Sequence, residues 1–270
     1  MAFVSLKFVD AHVHLSDPEY EGLTDALMKD AKESKVVALV SNSVNLQTSK
    51  LSLKLAQKYQ GHVYAALGIH PWNVKNLATN ELEETVQLIL DHTSDPATVA
   101  IGEIGLDPKY LEKAENRAEL QELQHRVFHE MLNIAEKTSL PTIIHSRGAT
   151  PQIVEMLPSY NVKKVLLHFF SQPVELIPEI ASRGYYISEG PPTVYSKNTK
   201  EIIKQIPLEN LLTETDGPVR YLGKPFKDKT TTPAFIPTVV EAMADVKGMK
   251  KSEVASQIFK NFAEFFKINV

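Results

Sequence analysis

The sequence predicts an α/β protein, a (β/α)8 TIM barrel built as a single domain over residues 1–270. Three observations predict it. Eight short runs of β-branched and apolar residues recur along the chain, stretches of helical periodicity separate them, and the length suits eight such repeats. Strict alternation of strand and helix calls for a mainly parallel sheet, and eight units in about 250 residues is the size of a closed barrel. An open doubly wound sheet shares the alternation, but the Gly-rich nucleotide fingerprint that often accompanies it is absent.

In chain order, the expected strands are Phe8–Leu15, Val36–Ser43, Val63–His70, Thr98–Leu106, Pro141–His145, Lys164–Phe169, Tyr185–Glu189 and Leu211–Asp216. Apolar residues three to four apart mark helices such as Leu46–Tyr59, Glu81–His92, Glu115–Lys137 and Pro173–Arg183. Gly61 and Gly184 fall between a helix and the next strand, where helix-ending glycines are expected. Pro233–Phe266 reads as two helices, one more than the repeat requires.

Composition narrows the chemistry. A hydrophobic content of 43% supplies a continuous core, and a net charge of −4 sets no global attraction to nucleic acid or anionic lipid. Any phosphate binding must come from local features. With no cysteine, disulfides, thiolate metal sites and cysteine nucleophiles are excluded, so a metal must be held by nitrogen and oxygen. Met1 to Asp10 lacks the organisation of a secretory signal, and no run approaches the roughly 20 apolar residues of a membrane span. A soluble cytoplasmic protein is expected, with no membrane association and no obligate protein partner evident.

Chemistry gathers at the strand ends. The first strand carries Asp10-Ala-His12-Val-His14, and residues two apart on a strand face the same side. Other strands end in Gly68-Ile-His70-Pro71, Gly102-Glu103-Ile-Gly-Leu-Asp107, Ile143-Ile-His145-Ser-Arg147, Leu166-Leu-His168 and Thr213-Glu-Thr-Asp216. An ionisable group in an apolar strand is costly unless it is paired or binds a metal. Repetition of that cost at the carboxyl ends, where barrels place their functional groups, predicts a convergent metal site of His12, His14, Glu103, His145, His168 and Asp216. Four imidazoles and two carboxylates suit Zn²⁺, Mn²⁺, Co²⁺ or Mg²⁺. Six ligands exceed what one open catalytic ion takes, so two divalent ions sharing a carboxylate are expected, with water as nucleophile.

These stretches, together with His168-Phe-Phe-Ser171, Gly184-Tyr-Tyr-Ile-Ser188 and Leu211-Leu-Thr-Glu-Thr-Asp216, resemble the TatD family of metal-dependent deoxyribonucleases across nearly the whole chain. The resemblance implies a binuclear hydrolase that cleaves phosphodiester bonds, typically in DNA and often from the 3′ end, using Mg²⁺, Mn²⁺ or Zn²⁺. It implies that His12, His14 and Asp216 hold one ion, that His145 and His168 hold the other, and that Glu103 bridges them. It makes Asp216 and Glu103 the expected catalytic residues, Asp216 acting as acid/base on the attacking water, and places His70 near the substrate phosphate. The chain departs from the family pattern with Phe169 and Gln172 where Cys and Gly are usual, with Gly148 where Asp is common, and with Gly217-Pro218 in place of Ala-Pro. None of these is an expected ligand; all bear on the substrate cleft.

Neighbouring groups extend the site. Arg147 is expected to grip a phosphate with its planar fork, or else to brace Asp107 or Glu189. The loop Arg220 to Lys229 offers Arg220, Lys224 and Lys227 as a basic patch, with Tyr221 or Phe226 stacking on a base; the alternative is a solvated loop. Asp10 is expected to orient an imidazole, Asp107 to do the same or to cap the following segment, and Glu214 to be a buried hydrogen-bonding group. Trp72 either lines the cleft or packs. His62, His92, His125 and His129 lie away from strand ends, and the last two lack the Glu that the zinc-protease motif requires. The leading reading is a hydrolase of DNA or another nucleic acid. The alternatives are a D-aminoacyl-tRNA deacylase or another amidohydrolase-type enzyme, against which Glu103 stands where many such enzymes carry a carboxylated Lys, and a non-catalytic metal-bound scaffold.

Overall fold

The structure, a computed structural model, describes residues 6–171 and 173–268; Gln172, one of the departures noted above, lies outside them. Eight parallel strands follow one another in sequence order: β1 (Phe8–Val13), β2 (Val36–Asn42), β3 (Val63–Leu67), β4 (Thr98–Gly105), β5 (Thr142–His145), β6 (Val165–Leu167), β7 (Tyr186–Glu189) and β8 (Leu211–Thr213). The chain returns between them through α1 (Thr24–Glu33), α2 (Leu46–Lys58), α3 (Glu81–His92), α4 (Arg117–Thr138), α5 (Thr150–Met156), α6 (Ile177–Ser182) and the pair α7 (Pro192–Tyr195) and α8 (Lys197–Gln205). This is the expected (β/α)8 barrel.

The seam between β8 and β1 completes the ring. Asp216 N–H donates to the His12 carbonyl at 2.9 Å, His14 N–H to the Gly217 carbonyl at 2.8 Å, and the Thr213 hydroxyl to the Val9 carbonyl at 2.7 Å. Buried Asp10 accepts from the backbone N–H of Thr215 at 3.0 Å, from its hydroxyl at 2.5 Å and from His12 N–H at 3.2 Å. The bonds that close the ring therefore also set His12, His14 and Asp216 side by side. The two helices beyond β8, α9 (Ile236–Lys247) and α10 (Lys251–Phe266), both pack against β1 and β8. Asn261 of α10 donates to the Leu208 and Leu211 carbonyls at 2.7 and 2.8 Å, which explains the helix that exceeds the repeat.

Two irregularities shape the interior. On β4, Ile101 and Ile104 pair with Thr142 and Ile144, so three steps on one strand match two on the other. The extra residue is a bulge, a device that re-aims a side chain near a site, and it contains Glu103. The same mismatch on β1, where Asp10 and Val13 pair with Leu39 and Ser41, surrounds His12.

Several strands stop earlier than expected. β1 ends at Val13, β3 at Leu67, β6 at Leu167 and β8 at Thr213, because the chain leaves the ladder as it turns toward the loops. Phe169 and Asp216 sit in the left-handed region at φ 44° and 49°, an uncommon conformation for non-glycine residues that clusters at functional sites. Gly61 and Gly184 take positive φ, 76° and 72°, as helix-ending glycines do. Helix α4 buries Leu120, Gln124, Val127, Phe128, Met131, Leu132 and Ala135, one stripe at helical spacing with a single glutamine in it.

Candidate metal centre

The six expected ligands meet at the carboxyl ends of β1, β4, β5, β6 and β8. His12 Nε2 and His14 Nε2 lie 3.1 Å apart, and Glu103 Oε2 is 3.2 and 3.3 Å from them. Asp216 Oδ1 is 3.5 and 3.4 Å from the same two nitrogens. The other oxygen of Glu103 faces a second group: Oε1 is 2.9 Å from His145 Nδ1, 2.7 Å from His168 Nε2 and 3.1 Å from His70 Nε2. His145 Nδ1 and His168 Nε2 are 3.4 Å apart. One carboxylate thus divides five imidazoles into two sets.

The donor set fits cations. Ring nitrogens face one another across distances of 3.1–3.4 Å, and buried Glu103 Oε2 has no hydrogen-bond partner among the described residues. Electrostatics agrees. Burial opposes a charge on His14, yet contact with Asp216 and Glu103 pushes its pKa up to about 10. Burial also opposes charge on His168, but the carboxylates of Glu103 and Glu214 hold it well above the ordinary imidazole range. Burial would raise Glu103; the histidines around it, His70, His168 and His12, outweigh that and hold it well below the usual carboxylate range. His12 falls below its ordinary value because burial, and then His168, disfavour its charge. The site demands positive charge, and nitrogen and oxygen donors of this kind suit a divalent ion.

The far side of each ring is also informative. His14 Nδ1 lies 3.0 Å from the Asn42 carbonyl and His145 Nε2 lies 2.9 Å from Asp107 Oδ2, whereas the buried Nδ1 atoms of His12 and His168 have no hydrogen-bond partner among the described residues. An acceptor behind His14 or His145 holds a proton on that nitrogen, so a cation at the front would displace only the other one. His70 is built the other way. Its Nδ1 accepts the backbone N–H of Trp72 at 3.0 Å, so Nε2 carries the proton and faces Glu103 as a donor. Although His70, Glu103 and His145 are close enough together to hold an ion, this tautomer makes His70 a hydrogen-bond donor and not a ligand.

Other expectations meet mixed outcomes. Glu214 is buried and accepts from the Ser188 hydroxyl at 2.5 Å, as a hydrogen-bonding group. Asp10 does not orient an imidazole; it binds backbone groups of His12 and Thr215. Arg147 braces Asp107, its Nε 3.0 Å from Oδ2, while Glu189 Oε1 is left without a partner among the described residues. Trp72 is 41% exposed and packs on Tyr110, with its indole N–H donating to Asp107 Oδ2 at 2.6 Å. The aromatics of the loop after β8 do not stack on a base. Tyr221 is buried with its hydroxyl donating to the Thr215 carbonyl, and Phe226 is buried against Phe235, because both rings anchor the loop to the core. Lys224 and Lys227 are exposed, and Arg220 pairs with Glu19 at 2.9 Å. His62, His92, His125 and His129 join no metal-binding group among the described residues.

Sequence reasoning missed Asn42, Thr215 and Gln124. Gln124 donates to the Pro71 carbonyl and accepts the N–H of Asp107, tying together the loops after β3 and β4. Its signal is a polar residue on the apolar stripe of α4.

Comparison with known proteins gives a consistent result. The model of the TatD-related DNase family matches residues 9–267. A metal-dependent hydrolase of Methanocaldococcus jannaschii is 32% identical, covering 97% of this chain and 98% of the relative. The human deoxyribonuclease TATDN3 is 30% identical, covering 98% of this chain and 97% of the relative. Among solved structures, the TatD homolog YjjV of Escherichia coli superposes with a TM-score of 0.87 at 26% identity, over 97% of this chain and 98% of that one.

Proposed function

Since the chain belongs to the TatD-related DNase family of metal-dependent hydrolases, we propose that it removes nucleotides from the 3′ end of DNA with two divalent ions. The observation that carries this reading is the division of imidazoles by the two oxygens of Glu103. In it, His12, His14 and Asp216 would hold one ion, His145 and His168 would hold the second, and Glu103 would serve both. Bound Mg²⁺, Mn²⁺ or Zn²⁺ would supply an activated water and neutralise charge developing on the phosphate.

The chain's own groups do the rest. Asp216 is the proposed proton acceptor for the attacking water. Its side chain is 14% exposed against 1% for Glu103, so it faces the open mouth of the barrel. Burial opposes its ionisation, but the hydrogen bond with His14 and the nearby His12 and His168 keep it below the ordinary carboxyl range, in the basic form. Burial pushes His70 down to about 4, so it stays neutral; its Nε2–H, which faces Glu103 here, is the proposed donor to a phosphate oxygen once metal ions engage Glu103. Arg147 leaves its terminal nitrogens out of the brace with Asp107, which suits them to a second phosphate contact.

The test uses single-stranded DNA labelled at either end, with metal-free protein resupplied in turn with Mg²⁺, Mn²⁺ and Zn²⁺. Stepwise loss from the 3′ end is expected only with metal, and none from a His145→Ala variant. Cleavage of D-aminoacyl-tRNA with no cleavage of DNA would overturn the reading.

The exposed Lys224 and Lys227, with Arg220, are the proposed phosphate contacts beyond the scissile bond. The double variant Lys224→Ala/Lys227→Ala should bind single-stranded DNA more weakly, with the salt dependence of log K reduced by about 1.4, or roughly 0.7 per lost contact. Turnover at saturating DNA should be unchanged. An unaltered salt slope would show that these lysines are only solvated.

A further inference from the structure

Asp107 is buried just outside the cluster, and both its oxygens are occupied. Oδ2 accepts the Trp72 indole N–H at 2.6 Å and lies 2.9 Å from His145 Nε2. Arg147 Nε reaches both oxygens, at 3.0 and 3.2 Å, and Oδ1 accepts the backbone N–H of Tyr110 at 2.9 Å. Beyond it the side chains form a stack. Trp72 lies on Tyr110 with centroids 5.2 Å apart and planes at 20°, Arg147 sits 5.4 Å from the Trp72 ring, and Lys75 sits 4.6 Å from the Tyr110 ring. Arg147, with 49% of its side chain exposed, heads this wall at the cleft mouth.

Nε2 of His145 faces Asp107 and Nδ1 faces Glu103, each at 2.9 Å, and a carboxylate can only accept, so a cation that takes the place of the Nδ1 proton would leave the other proton on Nε2, held by Asp107. The lone pair of Nδ1 would then be turned to Glu103 and His168. The same carboxylate fixes the orientation of the Trp72 ring and, through Nε, the plane of the Arg147 guanidinium. We propose that Asp107 is a positioning residue that couples the two halves of the site, setting His145 for a metal ion and setting Arg147 and Trp72 as the wall that receives a nucleic-acid phosphate. A single substitution there should therefore weaken metal binding and substrate binding together, whereas loss of Arg147 should weaken only the second. This inference rests on the metal-dependent reading above.

The chain's single tryptophan makes the coupling visible without any turnover. Wild type, Asp107→Asn and Arg147→Ala are compared by Mn²⁺ calorimetry, by indole emission, and by KM and kcat on a DNA oligonucleotide. Asp107→Asn should lose about 10–100-fold in Mn²⁺ affinity, raise KM and shift the emission of Trp72 to the red. Arg147→Ala should raise KM and change Mn²⁺ affinity by far less than the ~10-fold that loss of a ligand's supporting group brings. Should Asp107→Asn not fold, long-range ¹H–¹⁵N correlation on Zn²⁺-loaded wild type reads the His145 tautomer directly; a proton on Nδ1 in place of Nε2 would overturn the proposal. Equal Mn²⁺ affinity in Asp107→Asn and wild type would overturn it too. Absence of metal uptake by the wild type would instead bring down the proposed function.

Discussion

Glu103→Gln is expected to slow DNA hydrolysis by about 10³-fold and to lower the metal content of the purified protein. The substitution keeps the size of the side chain and changes only charge and one acceptor. Glu103 is 1% exposed, and water cannot replace what is lost. Whichever way the amide turns, an NH₂ group must face either His12 and His14 or His70, His145 and His168, all within 3.3 Å of the present oxygens. Breaking a buried charged contact on one side costs about 3–5 kcal/mol, which at ~1.4 kcal/mol per decade is two to three and a half decades. Elemental analysis and single-turnover rates on labelled DNA check the two parts. A variant with full metal content and a rate within tenfold of wild type would show that the carboxylate does not serve both ions.

Much of this arrangement is legible before folding is considered. The alternation of strand and helix is written in β-branched runs and apolar spacing, and the proposed ligands announce themselves as ionisable residues where apolar ones should end a strand. What is hidden depends on partners distant in sequence. Asp10 reads as a neighbour of His12, but its main partner is Thr215, 205 positions away. Tyr221 and Phe226 sit in a lysine-rich loop and look exposed; only the fold shows that their rings hold the loop down. Bulges leave no mark in composition, so neither the one around His12 nor the one at Glu103 could be read. Helix α5, with seven residues and a proline in its first turn, is too short for periodicity to register. Strand ends were overrun for a related reason: residues such as Ile69 and Thr215 are good strand formers, but their chain has already turned away toward the loops.

Just beyond its bulge, β4 also depends on a glycine, and this leads to the largest stability effect expected. Gly105 has φ 144° and sits opposite His145 in the ladder between β4 and β5. A Cβ at this position would lie 2.0 Å from the His145 carbonyl oxygen, 2.9 Å from its carbon and 3.1 Å from its nitrogen. All three are backbone atoms, so no rotamer change can relieve the overlap. Either β4 separates from β5, and with it Glu103 from His145, or the chain adopts another path. Gly105→Ala should therefore cost more than about 4 kcal/mol, in the range reserved for specific structural failures. At about 2–4 °C per kcal/mol for a chain of this size, the Tm should fall by roughly 10 °C or more. Metal uptake should fall with it, since the proposed ligand His145 is the residue displaced. Gly61→Ala is the matched control: its φ is 76° but nothing lies within 4 Å of the added carbon, so only the backbone preference of about 1–2 kcal/mol is lost. If Gly105→Ala melted no lower than Gly61→Ala, β4 and β5 would have room that their contact denies, and the close fit that sets Glu103 against His145 would not be what holds the centre together.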